Sequence, residues 1–135
     1  MTRTSPFRRI AAGTWRDPRD PTIYATFRVR AEPALAYLEA VRRSTGLRIS
    51  MTHLMIKAAG EALRACPEAN SILRFGRVRR RETADVSVLV LCGERGARDL
   101  ASAKIASADE KDLAGIAAEL TGRVEEIRSG ADPLE

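Results

Sequence analysis

The sequence has little from which a catalytic or metal site could be built. It contains one histidine, His53, two cysteines, Cys66 and Cys92, and only 4% aromatic residues. A structural zinc site needs a set of cysteine, histidine or carboxylate ligands at characteristic spacing, and no such set occurs here. The two cysteines are predicted to be a reduced pair of buried thiols.

Several short functional motifs are also missing. No glycine loop of the Walker or dinucleotide-binding form is present, and no serine lies in a G-x-S-x-G elbow. No apolar run reaches the length of a membrane span. The opening residues, MTRTSPFRRIAAG, lack the apolar core of a signal peptide. These absences predict a cytoplasmic protein without a membrane segment, a metal or a cofactor of its own.

Basic charge is abundant and comes almost wholly from arginine, with twenty arginines, three lysines and a formal net charge of +5. The densest cluster is Arg74, Arg77, Arg79, Arg80 and Arg81. Strand alternation would place three of them, Arg77, Arg79 and Arg81, on one face. With Arg74 they form either a site for an acidic or phosphate-bearing partner or a solvated edge strand whose charge opposes aggregation. Nucleic acid is disfavoured, because Phe75 is the only aromatic residue close by.

The strongest pattern is an amphipathic helix within residues 50–70, around which the rest of the chain is expected to pack. Its predicted apolar face is Met51, Leu54, Met55, Ala58, Ala59, Ala62, Leu63 and Cys66. Ser50 or Thr52 is suited to cap the first turn. Pro67 predicts that the helix ends near residue 65 or 66.

The single histidine is predicted to have a structural role near the start of this helix. Lys57 follows His53 by four residues, and no acidic residue lies at a useful spacing from it. An activated nucleophile needs a base within reach, and only His53 could serve as one.

The remaining N-terminal half predicts a strand, a helix and a pair of strands. Residues 22–30 alternate apolar and polar side chains, which is typical of a half-buried strand. A helix with a stripe of Leu35, Leu38 and Val41 is predicted to start at Glu32 and Pro33 and to end at Gly46. Two short strands are expected on either side of Gly76.

The C-terminal half predicts two strands and a last helix. Residues 86–91 form a continuous apolar run, which predicts a central strand buried on both faces. Residues 99–105 are expected to form the next strand. Residues 107–110 match a capping box, and Gly130 is suited to end the helix that follows. Together these elements predict one domain over residues 1–135, an α/β two-layer sandwich of helices on a mixed or antiparallel sheet.

Several segments resemble, in the same order, the catalytic domain of the dihydrolipoyl acyltransferases. These are core subunits of 2-oxo acid dehydrogenase complexes and are related in fold to chloramphenicol acetyltransferase. The matching segments are PFRRIAAGTW, the pattern K-A-x-x-x-A-L-x-x-x-P-x-x-N from Lys57 to Asn70, and ASADEKDLAGIAAELTGRVEEIRSG. The resemblance covers about residues 5–135 and implies a truncated version of that fold.

The family also has an S-N-x-G segment and an H-x-x-x-D-G motif whose histidine is the general base for acyl transfer to coenzyme A, and neither occurs here. His53 does not match the catalytic position. The family's early arginine corresponds to Arg8 or Arg9 and normally pairs with the aspartate of the absent motif. Arg8, Arg9 and the single tryptophan, Trp15, are therefore expected to make assembly contacts instead.

The resemblance leaves three interpretations. The first is a non-catalytic pseudoenzyme that retains the family's assembly surfaces as a homo-oligomeric scaffold, a trimer or a cage. The second is the N-terminal half of a split acyltransferase, in which coenzyme A binds only when a separate C-terminal half is supplied. Its partner would be that C-terminal half or a dehydrogenase complex. The third is a basic binding module. The first is favoured, with no catalysis expected from this chain alone.

Overall fold

The computed structural model describes residues 24–75, 77–92 and 99–129. In chain order they form α1 (Glu32–Thr45), α2 (Met51–Ala65), β1 (Ser71–Arg74), β2 (Arg77–Arg80), β3 (Val86–Cys92), β4 (Asp99–Ile105) and α3 (Leu113–Arg128). Helices combined with antiparallel sheets confirm the predicted α/β class. None of the helices within these ranges is long and apolar enough to cross a bilayer.

The strands β1 and β2 form a small antiparallel hairpin. Ser71 lies opposite Arg80, and Arg74 lies opposite Arg77, so the two strands are in register over their full length. This confirms the predicted pair of strands around residue 76. The hairpin contributes no residue to either buried core, so it projects from the body of the molecule.

The strands β3 and β4 form a second antiparallel sheet, in which Val86 lies opposite Ile105 and Val90 lies opposite Ala101. The helices α2 and α3 contact this sheet and each other. The two-layer part of the fold is therefore β3 and β4 covered by α2 and α3.

The main core lies between these two layers. Its buried residues are Ile56, Ala103, Ile105, Ala108, Ile116 and Leu120. Val86, Val88 and Val90 pack against it from β3. On α3, Leu113, Ile116, Ala117 and Leu120 are all buried, which confirms the predicted stripe of that helix.

A smaller core attaches α1 to the other helices through Leu38, Ile49, Leu113 and Ala117. The predicted ends of α1 are confirmed, with a proline in its first turn and Gly46 at its C-terminus at a φ of 68°, in the left-handed region that favours glycine. The connector to α2 is held by a hydrogen bond of 2.5 Å from Arg42 Nε to the carbonyl oxygen of Ile49. The stripe is only partly covered, because Leu35 is 50% exposed.

The buried residues of α2 lie outside the apolar face that its sequence predicted, although Met51 and Leu54 of that face pack against the smaller core. Its buried residues are Ile56 and Gly60, whereas Met55 is 60% exposed and Ala62 is exposed. Gly60 lies against the turn that precedes α3, since a Cβ placed on it would be 2.7 Å from the backbone nitrogen of Asp109. The alanines of α2 therefore do not identify its contact face. The closest approach to the turn is made at Gly60, which has no side chain.

The end of α2 at Ala65 agrees with the prediction from Pro67, but the prediction of a buried thiol is wrong for Cys66. This cysteine is exposed. It caps the C-terminus of α2, beyond the last helical residue, and so lies outside the helix face that packs.

The predicted strand over residues 22–30 is also wrong in its described part. Residues 24–30 have no regular secondary structure, and Tyr24, Phe27 and Val29 are 81–87% exposed. Alternating side chains make a strand only where a neighbouring strand satisfies the backbone. No strand among the described residues pairs with this segment.

The prediction that residues 86–91 form a central strand buried on both faces is wrong. Within the described ranges β3 pairs with β4 alone, and the helices cover only one face. Leu89 is 72% and Leu91 is 54% exposed on the opposite face. An apolar run does not show which of its two faces is covered.

The last helix begins later than the predicted capping box implies. Residues 107–110 form a turn in which Ser107 has a φ of 44° and its carbonyl oxygen accepts from the Glu110 backbone N–H at 3.0 Å. Asp112 is the actual N-cap of α3, and its Oδ1 accepts from the Gly115 N–H at 2.7 Å. A side chain one residue before the helix satisfies the free donors better than one in the preceding turn. The predicted terminator, Gly130, lies outside the described residues.

Candidate functional site

The arginines of the β1–β2 hairpin gather on one of its faces. Arg74 and Arg77 are directly opposite each other, and Arg79 is opposite Ile72. Residues that are opposite, or two apart along a strand, point to the same side. Arg74, Arg77 and Arg79 therefore share one face, here called the cationic face. With Phe75 they line an open depression of about 370 Å³.

The aromatic residue of this site lies at the turn between the strands. Phe75 has a φ of 51° and is 90% exposed. The guanidinium carbon of Arg74 is 5.3 Å from the centre of its ring, which is within the range of a cation–π contact. The cationic face thus combines three positive charges with one accessible ring.

The opposite face of the hairpin has a different character. There Arg80 donates to Glu68 Oε1 at 2.5 Å. At the base of the hairpin, the Arg81 backbone N–H donates to the Asn70 carbonyl oxygen at 2.8 Å, and Asn70 Nδ2 donates to the Thr83 carbonyl oxygen at 2.9 Å. The two bonds at the base fix where the hairpin leaves the body.

The structure therefore brings together three of the four arginines of the predicted binding site. Arg81 lies beyond the end of β2 and does not line the depression. Arg8, Arg9 and Trp15, the predicted assembly contacts, lie outside the described residues.

The only histidine is part of the N-terminal cap of α2. Its Nδ1 accepts from the backbone N–H of Ser50 at 2.8 Å and lies 3.1 Å from the Ser50 hydroxyl oxygen. Partial burial disfavours the charged ring and lowers the pKa of His53 from its usual value. This geometry agrees with the predicted structural role, since one ring nitrogen is already committed to the helix cap.

A second polar cluster holds α2 against the turn before α3. Lys57 Nζ donates to the carbonyl oxygen of Asp109 at 2.6 Å and lies 3.0 Å from Glu61 Oε1. The Asp109 side chain has one buried oxygen, Oδ1, without a partner among the described residues. The contact between Lys57 and Asp109 was not predictable from the sequence, because the two residues are 52 positions apart.

A carboxylate that sequence reasoning missed sits beside β3. Asp85 Oδ2 lies 2.6 Å from Lys104 Nζ, and Asp85 Oδ1 accepts from the backbone N–H of Ser107 at 3.1 Å. The lysine and this backbone donor lower the pKa of Asp85 from 3.8 to about 2. The cluster fixes the end of the β3–β4 sheet. No group of histidine, cysteine or acidic residues in the described part of the chain is arranged to hold a metal.

The side of the β3–β4 sheet away from the helices forms a second accessible surface. This outer face consists of Ser87, Leu89 and Leu91 from β3 and Leu100, Ser102 and Lys104 from β4. It is polar at the Lys104 end, and at the other end Leu91 lies opposite Leu100. The sequence does not reveal this surface, because two of the three outward-facing residues of β3 are apolar like the inward-facing ones.

Comparison with known proteins gives a consistent result. A family model described as 2-oxoacid dehydrogenases acyltransferase (catalytic domain) matches residues 5–133. The lipoamide acyltransferase component of the branched-chain alpha-keto acid dehydrogenase complex of Bacillus subtilis (strain 168) is 25% identical over 92 residues, which are 68% of this chain and 21% of that protein.

Among solved structures, the chain is similar to a probable dihydrolipoamide acetyltransferase from Listeria monocytogenes 4b F2365. The TM-score is 0.56 at 25% identity, and the match covers 71% of this chain and 41% of that chain. The chain thus matches less than half the length of either relative.

Proposed function

The chain belongs to the family of 2-oxoacid dehydrogenase acyltransferases (catalytic domain), and we propose that it serves as a self-assembling scaffold of that family, without catalysis of its own. The observation that carries the proposal is the outer face of the β3–β4 sheet. There Leu89 is 72% and Leu91 is 54% exposed. Neighbouring exposed leucines on one face of a sheet are typical of a surface that another polypeptide covers.

The histidine content of the chain supports the non-catalytic part of the proposal. General-base catalysis needs a histidine or carboxylate held within reach of the substrate. The one histidine is His53, whose Nδ1 is committed to the Ser50 N–H. No H-x-x-x-D-G sequence occurs within residues 1–135. Acyl transfer by the family's histidine-based route would therefore need the motif histidine from another polypeptide or segment.

The mass of the purified 135-residue protein tests the assembly. Light scattering is expected to give a discrete particle of at least three times the 14.8 kDa of one chain. Leu89→Glu is expected to weaken association at least about 30-fold, because burying a leucine contributes about 2 kcal/mol and a buried unpaired charge costs more. The side chain is exposed in the single chain, so folding should be preserved.

Ser87→Glu is the matched control. Ser87 lies on the same face of the same strand, directly opposite Lys104. A glutamate there lies at the polar end of the face, opposite Lys104, which already pairs with Asp85. It should leave both mass and fold unchanged. A wild-type monomer, or equal loss of mass in both variants, would contradict the scaffold proposal.

A split acyltransferase is the second candidate. The observation in its favour is that β3 and β4 are paired only with each other in the described ranges, so each has an edge that a strand of a second polypeptide would extend. The chain also spans only 41% of the solved structure that it matches. On this alternative, wild-type protein is monomeric alone, and acyl transfer between dihydrolipoamide and coenzyme A appears on adding the second polypeptide.

A further inference from the structure

The cationic face carries a repulsion that nothing among the described residues relieves. Arg74 and Arg77 are directly opposite across the hairpin, and like charges in such a pair are destabilising. Arg79 adds a third charge on the same side. No acidic side chain in the described ranges forms an ion pair with any of the three.

On the other side of the hairpin, the positive charge of an arginine is neutralised by an acidic side chain. Arg80 faces away from the cationic face and is paired with Glu68 at 2.5 Å. A two-stranded hairpin is at best marginally stable in isolation, so three uncompensated charges on one side are a real cost to it. A ligand that supplies negative charge would remove that cost on binding.

We propose that the cationic face of the β1–β2 hairpin binds an extended acidic segment of a partner protein. Aspartate or glutamate side chains at alternate positions of the segment would lie beside Arg77 and Arg79. The arginines would donate to the carboxylates as charge-assisted, bidentate hydrogen bonds. The segment would run as an added strand along the edge of β2 that no other described strand occupies.

The spacing on the hairpin matches this occupant. Arg77 and Arg79 are two residues apart on one strand, which separates their Cα atoms by about 6.6–6.8 Å. Alternate side chains of an extended peptide repeat at the same distance. Each carboxylate of such a peptide therefore lies beside one guanidinium. The carboxylates of an irregular or helical segment do not repeat at this spacing.

The shape of the site disfavours the other anionic ligands. A small phosphate compound is normally enclosed over most of its surface, whereas this depression is open and is lined by four residues of a single projecting hairpin. Single-stranded nucleic acid binds on successive aromatic platforms. Here Phe75 is the one ring in the depression, and Arg74 already lies against it at 5.3 Å.

The test is fluorescence anisotropy with the whole protein and a labelled ten-residue peptide of alternating glutamate and threonine. Saturable binding is expected in low salt (about 50 mM) and should weaken steeply as salt screens the charges. The double variant Arg77→Ala, Arg79→Ala is expected to bind at least about tenfold more weakly. Its thermal midpoint should not fall, because the substitutions remove a repulsion and no described ion pair.

Arg80→Ala is the matched control, since it removes the same charge from the other face of the same strand. It should change the affinity less than about twofold, as expected for an exposed residue outside the site. No saturable binding, or an equal loss in Arg80→Ala, would overturn the proposal and leave the arginines as protection against edge pairing. Tighter binding of a ten-residue oligothymidylate, lost in the double variant, would overturn it in favour of nucleic acid.

Discussion

Gly60→Ala tests the closest contact in the fold, the packing of α2 on the turn before α3. A Cβ at this position would lie 2.7 Å from the backbone nitrogen of Asp109 and 2.8 Å from the backbone carbonyl carbon of Ala108. Neither atom can rotate away as the end of a side chain would. The helix or the turn must move, and the Lys57–Asp109 hydrogen bond of 2.6 Å spans the same gap.

The expected change in the free energy of unfolding is the difference between two effects. Replacing glycine by alanine within a helix stabilises it by about 1 kcal/mol, whereas forcing an extra group into a packed site costs about 1–3 kcal/mol. Because both clashing atoms belong to the backbone, we expect the upper part of that range and a net loss of about 1–2 kcal/mol. This corresponds to a fall in melting temperature of about 4–8 °C.

Gly122→Ala supplies the matched control on α3. A Cβ there has nothing within 4 Å, so only the gain in helix propensity remains and the protein should be stabilised by up to about 1 kcal/mol. Both variants are compared with wild type by urea unfolding and by thermal melting. If Gly60→Ala stabilises the protein as Gly122→Ala does, α2 does not approach the turn closely and the packing described for it is wrong.

Two further predictions concern pH. The Asp85 carboxylate has a pKa near 2 in the folded protein, so its contribution to stability is present above its unfolded pKa of about 3.8 and is lost as the pH falls through 2. Urea unfolding should therefore show that Asp85→Asn lowers the free energy of unfolding by about 1–2 kcal/mol at pH 7, a figure reduced because Lys104 is exposed. Near pH 2 the same substitution should cost almost nothing. A cost that is the same at both pH values would contradict this. The pKa of His53 is also lowered by folding, so its contribution is present above its unfolded pKa of about 6.5 and is lost as the pH falls through the lower folded value. Between pH 7.5 and 5, the melting temperature should fall more in wild type than in His53→Gln, because glutamine at this position can still accept from the Ser50 N–H. An NMR titration that gives His53 a pKa above 6.5 would exclude the mechanism.

Elements set by local rules were predictable from the sequence. Pro33 and Gly46 mark the ends of α1, and the spacing from Leu113 to Leu120 identifies the buried stripe of α3. In each case the signal and the structure lie within a few residues of each other. The same holds for Arg77 and Arg79, whose common side follows from strand alternation, whereas Arg81 lies beyond the end of β2.

Elements whose state depends on distant partners were not predictable. Residues 24–30 have the alternation of a strand but no partner among the described strands. On β3, an apolar pattern on both faces concealed that Leu89 is exposed. On α2, the buried residues are Ile56 and Gly60, which lie outside the larger set of apolar positions, so a count of apolar residues did not identify them.

The projecting hairpin also has a consequence for how the chain folds. Lys57 and Asp109 are 52 residues apart, and bringing such distant segments together costs about 3.5 kcal/mol of loop-closure entropy. More than half of the intervening residues belong to the β1–β2 and β3–β4 hairpins, which form from neighbours in sequence. Once formed, the hairpins shorten the effective loop, and each halving lowers the closure cost by about 0.6 kcal/mol. The β1–β2 hairpin thus eases the docking of α2 although it contributes nothing to either core.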